Sequence, residues 1–404
     1  MKYGLITFKK TENIGDDIQS YAAMSFLPKV DYYIEREKMD LFIPKNKEQV
    51  VTIMNGWFLH SKINFPISPY IYPLYVSTHF SGYNSGGIKK EYLNDYASKK
   101  LNKYGPIGCR DHGTMELLEQ CNVKNYFSGC VTLTLKADKN IKQTDSICIV
   151  DINEKAEEKI RKIVNNGVKI IKKTHVLDKS KNSKLTWEER FDNVKKLLDI
   201  YQSSKLVITS RLHCALPCLA LGTPVLLLYD EKKDYTKDRL SDYVNILNHM
   251  TTKEFINGGY KTLDTITSNP QDYKKIRNKI INKIKLLLDD SKIKLNTNLP
   301  ELKEFEELYV NPKKNIDNLY EVATNDMYIR KNDYVNLKYE RDYWKKEYKN
   351  AVKLKEEAVK LKEEAESNVI KLEHQLNRIR NIWIYKVIRK VYNVLKGVGN
   401  YGKK

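Results

Sequence analysis

Short apolar, β-branched runs that end in polar or glycine-containing turns and pass into helix-spaced segments recur along most of this 404-residue chain. The first, Tyr3 to Phe8, ends in the loop KKTENIGDD and is followed by IQSYAAMSFL, whose apolar positions fall on one helical face. The same unit recurs from Gln49 to Met54, Ile107 to Cys109 and Ser146 to Val150. Further on, Val168 to Lys172, Leu206 to Thr209 and Pro224 to Leu228 predict strands, and Phe191 to Gln202 and Cys214 to Leu221 predict helices. Strands joined through helices run parallel and need both faces covered, so the fold class is α/β. The length exceeds one ordinary core, and the pattern predicts two doubly wound, Rossmann-like domains, residues 1–145 and 146–310, with a cleft between them.

The composition changes after a linker at 311–332. From Asp333 to Asn377 there is no glycine or proline, and VKLKEEA at Val352 to Ala358 repeats at once at Val359 to Ala365. Leu337, Trp344, Ala351, Ala358, Ala365, Leu372 and Ile379 are spaced seven apart, with Leu354 and Leu361 at the complementary seam position. A coiled coil over 333–377 fits, and it would make the chain a homo-oligomer. Glu340, Glu347, Asn368 and Gln375 weaken the second seam position, so a single solvated helix stays open as an alternative.

Residues 378–404 carry eight Lys or Arg and no acidic residue, interleaved with Ile379, Ile382, Trp383, Val387, Val391, Val394 and Leu395 at helical spacing. This basic amphipathic helix suits an anionic membrane surface; packing on the body or on a partner subunit is the other use of such a face. The formal net charge of +20 favours anionic partners in general. Nucleic acid is not expected, because the charge concentrates in a helical tail and no groove-reading motif accompanies it. Cys109, Cys121, Cys130, Cys148, Cys214 and Cys218 lie among apolar neighbours without CxxC or CxxH spacing and read as free buried thiols. The N-terminus MKYGLITFKK lacks a signal-peptide core and charges interrupt every later apolar stretch, giving the expectation of a cytoplasmic protein, peripheral on the inner face of the cell membrane.

Charged residues collect where predicted strands end. KLVITS stops at Ser210, and RLHCALPCLALG then reads as a helix with Arg211 and His213 in its first turn and Ser210 as cap. Helix starts at the carboxyl ends of parallel strands bind phosphates and carboxylates. The competing reading pairs Arg211 with an acid and leaves His213 filling a polar gap. Strand Pro224 to Leu228 ends in YDEKKD, placing Lys232 and Lys233 at the same sheet edge, and Ile107 to Cys109 leads into Arg110-Asp111 ahead of a helix. Arg110 either faces the cleft or pairs with Asp111 at the surface. In TENIGDD, Asn13, Asp16 and Asp17 supply an amide and two carboxylates for binding or deprotonating a hydroxyl, though the same residues also make turns and caps. Asn55, Trp57 and His79 end apolar runs and suit a sugar pocket, the indole against a ring face. No histidine pair has ligand spacing, so no metal is expected.

The ordered series NIGDD at Asn13, NGW at Asn55, PLYVSTH ending at His79, GPIGCRDHGTMELL from Gly105, YFSGCVTLTL from Tyr126 and SRLHCALPCLALGTPV from Ser210 resembles the polysaccharide pyruvyl transferases over roughly residues 1 to 300. Phe127-Ser128-Gly129-Cys130 departs from the commoner Asp-Pro pair of that family, and the coiled coil and tail are additions. The resemblance implies a fold similar to GT-B glycosyltransferases, with an acceptor-side first domain and a donor-side second. It implies transfer of a pyruvyl group from phosphoenolpyruvate, as co-substrate and without a further cofactor, to two hydroxyls of a sugar or lipid-linked oligosaccharide, giving a cyclic ketal. It places donor binding at Arg110 and Lys232, joined here by Arg211 and Ser210, and a general acid at His213; Asp17 is taken as the second catalytic group, and Asn13, Asp16, Asn55, Trp57 and His79 as acceptor contacts. A nucleotide-sugar glycosyltransferase and an inactive envelope-assembly scaffold are the alternatives.

Overall fold

A computed structural model describes residues 1–58, 67–80, 93, 95–230, 240–289, 293–295, 390 and 393. The chain separates into two compact units, Met1–Thr297 and Asn298–Lys404. The expected domain 1–145 and the part of the expected domain 146–310 up to Thr297 both fall within this first unit. The expected linker, coiled coil and basic tail lie outside the described residues, apart from Lys390 and Asn393, which are helical.

The first unit carries three sheets, and every strand pairing among the named strands is parallel. Strands β1 (Lys2–Thr7), β2 (Tyr32–Glu35), β3 (Val50–Ile53) and β5 (Ile71–Leu74) form one sheet in the order β2-β1-β3-β5. Strands β4 (Gly56–Phe58), β6 (Thr78–Phe80), β7 (Ile107–Cys109) and β8 (Asn125–Phe127) form a second in chain order. The third contains β9 (Thr144–Val150), β10 (Lys169–Lys173), β11 (Ser204–Thr209), β12 (Val225–Tyr229) and β13 (Asn248–Thr251), ordered β10-β9-β11-β12-β13. In the first and third sheets the winding direction reverses beside the opening strand, between β1 and β3 and between β9 and β11. Ligands of open α/β sheets bind beyond the carboxyl ends at such reversals.

Alternation along the strands explains why both faces are covered. Cys148 and Val150 face one core and Ile147 and Ile149 another, as the two-residue period of a strand requires. The largest core is shared by both halves of the unit. Leu5, Val51 and Ile53 of the first sheet and Cys148, Val207 and Leu227 of the third belong to one apolar cluster. Between them lie the helices α1 (Ile14–Met24), α5 (Trp187–Ser203) and α6 (Leu212–Leu221) and the short 3-10 turn Val131–Thr134. The other helices used below are α2 (Asp95–Tyr104), α3 (His112–Glu119), α4 (Glu154–Ile163) and α7 (Tyr273–Leu287). Of the six cysteines, all free, five are buried and Cys121 is partly so.

Candidate active site

Each expected site residue that is described sits in or just beyond the carboxyl end of a strand. Asn13, Asp16 and Asp17 follow β1, Asn55 follows β3, Trp57 and His79 lie in β4 and β6, Arg110 follows β7, and Ser210, Arg211 and His213 follow β11. Lys232 lies outside the described residues.

Two loops from opposite halves meet here. The Ile14 amide donates to the His175 carbonyl at 3.0 Å and the Leu177 amide to the Glu12 carbonyl at 2.8 Å, an isolated antiparallel bridge between Asn13 and Val176. Asn13 caps α1, its side-chain oxygen accepting from the Gly15 amide. Gly15 then lies against His213: a Cβ built there would come within 3.0 Å of His213 Cβ and 3.2 Å of its Nδ1. A side chain at position 15 would make contacts tighter than most, so glycine eases this close approach to the imidazole. His213 is buried in the first turn of α6, 6% exposed.

Arg110 reaches the same helix from the second sheet. It is 1% exposed and donates from Nη1 to Gln19 Oε1 at 2.9 Å, while its Nη2 is buried with no partner among the described residues. Gln19 is itself held, because Asn55 donates to its carbonyl at 3.2 Å. Tyr243 donates its hydroxyl to the Arg110 carbonyl, and the neighbouring Asp242 accepts from the His112 amide at 2.8 Å, fixing the start of α3. A buried guanidinium with a vacant donor is costly to desolvate, and an anionic ligand is the natural partner for it. Arg110 does lie 3.7 Å from Asp111, but both are buried, so the surface-pair reading fails.

Asp111 serves His79. Its Oδ2 lies 2.6 Å from His79 Nδ1, and its Oδ1 accepts from the Thr114 amide and hydroxyl. Burial opposes the Asp111 charge, but His79, Arg110 and Thr114 together hold its carboxyl well below the usual carboxylate range. The Trp57 and His79 rings are 6.0 Å apart, placing an aromatic face beside the imidazole.

Three expectations are corrected. Asp17, read as working on the acceptor, is 2% exposed, and both its oxygens accept from Arg190, at 2.5 and 3.0 Å. Arg190 is 1% exposed and also donates to the Phe8 and Lys9 carbonyls, so the pair fastens α1 and the loop after β1 to α5. Burial outweighs the guanidinium and pushes the Asp17 carboxyl up to about 6. Ser210 is not the cap of α6. Arg211 occupies that position with no side-chain capping bond, and Ser210 instead donates to the Asp151 carbonyl at 2.5 Å. Arg211 itself takes its acidic-partner reading, donating from Nε to Asp151 Oδ2 at 2.8 Å while its side chain stays 39% exposed. Asp151 holds this geometry with φ of 50° and also accepts from the His175 amide. Asp16 is half-buried and accepts from the Thr11 hydroxyl at 2.6 Å.

The family model for polysaccharide pyruvyl transferases matches residues 13–232, from the Asn13 cap through His213. The chain belongs to this family. As a pyruvyl transferase family member it is a transferase by relationship, and Asn13, Gln19, Asn55, His79, Arg110, Asp111 and His213 all fall inside the matched span. No curated protein matches the chain. Solved structures similar to it include a functionally uncharacterised protein of Klebsiella pneumoniae subsp. pneumoniae, at 13% identity and TM-score 0.36, covering 62% of this chain and 93% of that one. UDP-GlcNAc 2-epimerase of Methanocaldococcus jannaschii, in complex with UDP-GlcNAc and UDP, aligns at 12% identity and TM-score 0.38 over 71% of this chain and 99% of its own. Among the described residues no helix is long and apolar enough to cross a membrane, and no cluster of His, Cys, Asp and Glu is suited to a metal ion.

Sequence reading missed Gln19, Arg190, Thr114 and Tyr243. The signal for the first was present: Gln19 and Ser20 interrupt the apolar run of α1 and are fully buried. A polar pair inside an apolar helix face is expected only where it has partners.

Proposed function

We propose that this family member transfers the pyruvyl group of phosphoenolpyruvate to two hydroxyls of one sugar in a cell-surface polysaccharide or its lipid-linked precursor, forming a cyclic ketal. The observation that carries the reading is Arg110, a fully buried cation with a vacant Nη2, linked through Gln19 and α1 to the His213 imidazole. Phosphoenolpyruvate has a carboxylate and a phosphate, and Arg110, the uncapped start of α6 and Lys232 suit its charge. In this reading His213 protonates the methylene carbon as the first hydroxyl adds, and phosphoenolpyruvate serves as co-substrate with no resident cofactor.

The test is incubation of purified full-length protein with phosphoenolpyruvate and cell-envelope oligosaccharides. Phosphate release together with an acceptor mass raised by one ketal-linked pyruvate is the expected result. Turnover with nucleotide sugars alone would overturn it in favour of glycosyl transfer. His213→Gln should abolish turnover and leave the melting transition in place.

The same proposal extends to location. The basic amphipathic pattern of 378–404 supports docking to the inner face of an anionic membrane, where a lipid-linked acceptor would be found, and the heptads of 333–377 support self-association. Deleting 378–404 should release the protein from anionic vesicles and leave activity on soluble acceptors intact; unchanged vesicle binding would refute the membrane role.

A further inference from the structure

Pyruvyl transfer to a hydroxyl needs a group that removes the hydroxyl proton, and the carboxylate first expected to do so, Asp17, is enclosed by Arg190. We infer that His79, oriented by Asp111 and Thr114, is the base that takes the proton of the attacking acceptor hydroxyl. This rests on the pyruvyl-transfer reading.

The described contacts of Nδ1 favour one tautomer of the imidazole. The Thr114 hydroxyl proton is spent on Asp111 Oδ1 at 2.7 Å. Thr114 Oγ1 therefore has only lone pairs to offer, and it faces His79 Nδ1 at 3.1 Å and the Phe80 amide at 3.2 Å. Asp111 Oδ2, 2.6 Å from Nδ1, is likewise an acceptor. Both of these described neighbours of Nδ1 are acceptors, which assigns the proton of a neutral ring to Nδ1 and the lone pair to Nε2. Asp111 is rigid because it is also the N-cap of α3, accepting from the Thr114 amide at 2.9 Å. One carboxylate thus ends a helix and sets a tautomer. His79 lies in β6 beside β7, its ring next to the Trp57 indole, so the base stands beside the flat apolar surface that suits a pyranose ring.

The acceptor oxygen forms a bond to C2 of phosphoenolpyruvate while the C2–C3 π pair takes a proton from His213, making the methyl group. The hydroxyl proton passes to His79 Nε2. The C2–O bond to phosphate then breaks with its electron pair on the departing oxygen, and the second hydroxyl closes the ketal. Of the two hydroxyl protons, one replaces that lost by His213 and the other leaves with phosphate. Asp111 touches no reacting atom and is a positioning residue. Its buried charge favours the imidazolium that forms on His79.

The experiment uses full-length protein, phosphoenolpyruvate and p-nitrophenyl glycosides of glucose, galactose and mannose as acceptors. His79→Gln should lower kcat by on the order of a hundredfold or more, leave phosphoenolpyruvate affinity by calorimetry within about twofold, and regain rate with added imidazole. Asp111→Asn, which keeps an oxygen for the α3 cap, should lower kcat by about tenfold or more without raising the KM for phosphoenolpyruvate. Nitrogen-15 chemical shifts of the His79 ring, assigned with the Gln variant, should show Nδ1 protonated and Nε2 unprotonated in the neutral wild-type ring, and a tautomer mixture in Asp111→Asn. An Nε2-protonated wild-type ring refutes the inference whatever the activity. Wild-type transfer with an unimpaired His79→Gln enzyme refutes it and leaves the function standing. Absence of transfer by the wild type to any of the acceptors removes the function and the base role together.

Discussion

The start of α1 lies directly against the catalytic candidate of the opposite half: a methyl group on Gly15 would sit 3.0 Å from His213 Cβ, tighter than an ordinary contact. A Gly15→Ala variant must push the imidazole or the Asn13 cap, whose Oδ1 is also 3.0 Å away. Overpacking of this kind costs about 1–3 kcal/mol. We expect a protein that still folds, melts lower, and shows a larger loss in kcat than in phosphoenolpyruvate affinity. Denaturation and steady-state kinetics on one preparation check both.

Arg190 and Asp17 form a buried pair whose members are worth more together than apart. Arg190→Met alone leaves a carboxylate enclosed without its cation and should destabilise the fold by about 3–5 kcal/mol. Combining it with Asp17→Leu should recover part of that loss. Recovery stays incomplete because the Phe8 and Lys9 carbonyls lose their guanidinium donor as well. Urea unfolding of the two single variants and the double variant measures the coupling.

The two site carboxylates predict opposite pH behaviour. Asp17 titrates at about 6, above the unfolded value near 4, so the native state keeps a proton that the unfolded chain has released. Its contribution is fully present below about 4 and is lost as pH rises through 6. Asp111 is held below its unfolded value, so its contribution is present above about 4 and is lost on further acidification. Asp17→Asn should flatten the stability profile between pH 4 and 6, and Asp111→Asn should flatten it below 4. Denaturation series across that range read both slopes.

Gln19 sets the direction of Arg110 without being charged itself. Replacing Gln19 by Leu leaves a second buried guanidinium nitrogen without its acceptor, and a hydrogen bond to a charged group is worth roughly 1.5–3 kcal/mol. Weaker phosphoenolpyruvate binding by about tenfold or more is expected by calorimetry. Arg110→Met should weaken it further.

Most of the parallel framework was legible because buried strands announce themselves by composition. The run read at Gln49 to Met54 became β3 at Val50–Ile53, and the helix read at Phe191 to Gln202 became α5 at Trp187–Ser203. The second sheet was not legible as a separate layer. Three of its strands, β4, β6 and β7, have only three residues, too few for any period to register, and the fourth, β8, is no longer. At the site, the cations and histidines stood out because strand ends are where such residues gather. Their roles did not, since whether a carboxylate is open or enclosed depends on residues remote in sequence: Asp17 is closed off by Arg190, 173 positions away. Arg211 shows the same dependence, its partner Asp151 lying 60 positions earlier.

The apolar cluster common to both halves bears on how this enzyme diverges. A fragment ending near residue 140 would turn Ile14, Ile18 and Ala22 to water, and one beginning there would strip cover from Leu212, Ala215 and Leu216. Exchange of a half between relatives would then succeed only where the faces of α1 and α6 travel together. Trp57, in the small second sheet, stands apart from this constraint, because the buried strand residues Phe58, Phe80, Ile107 and Cys109 belong to a separate apolar cluster.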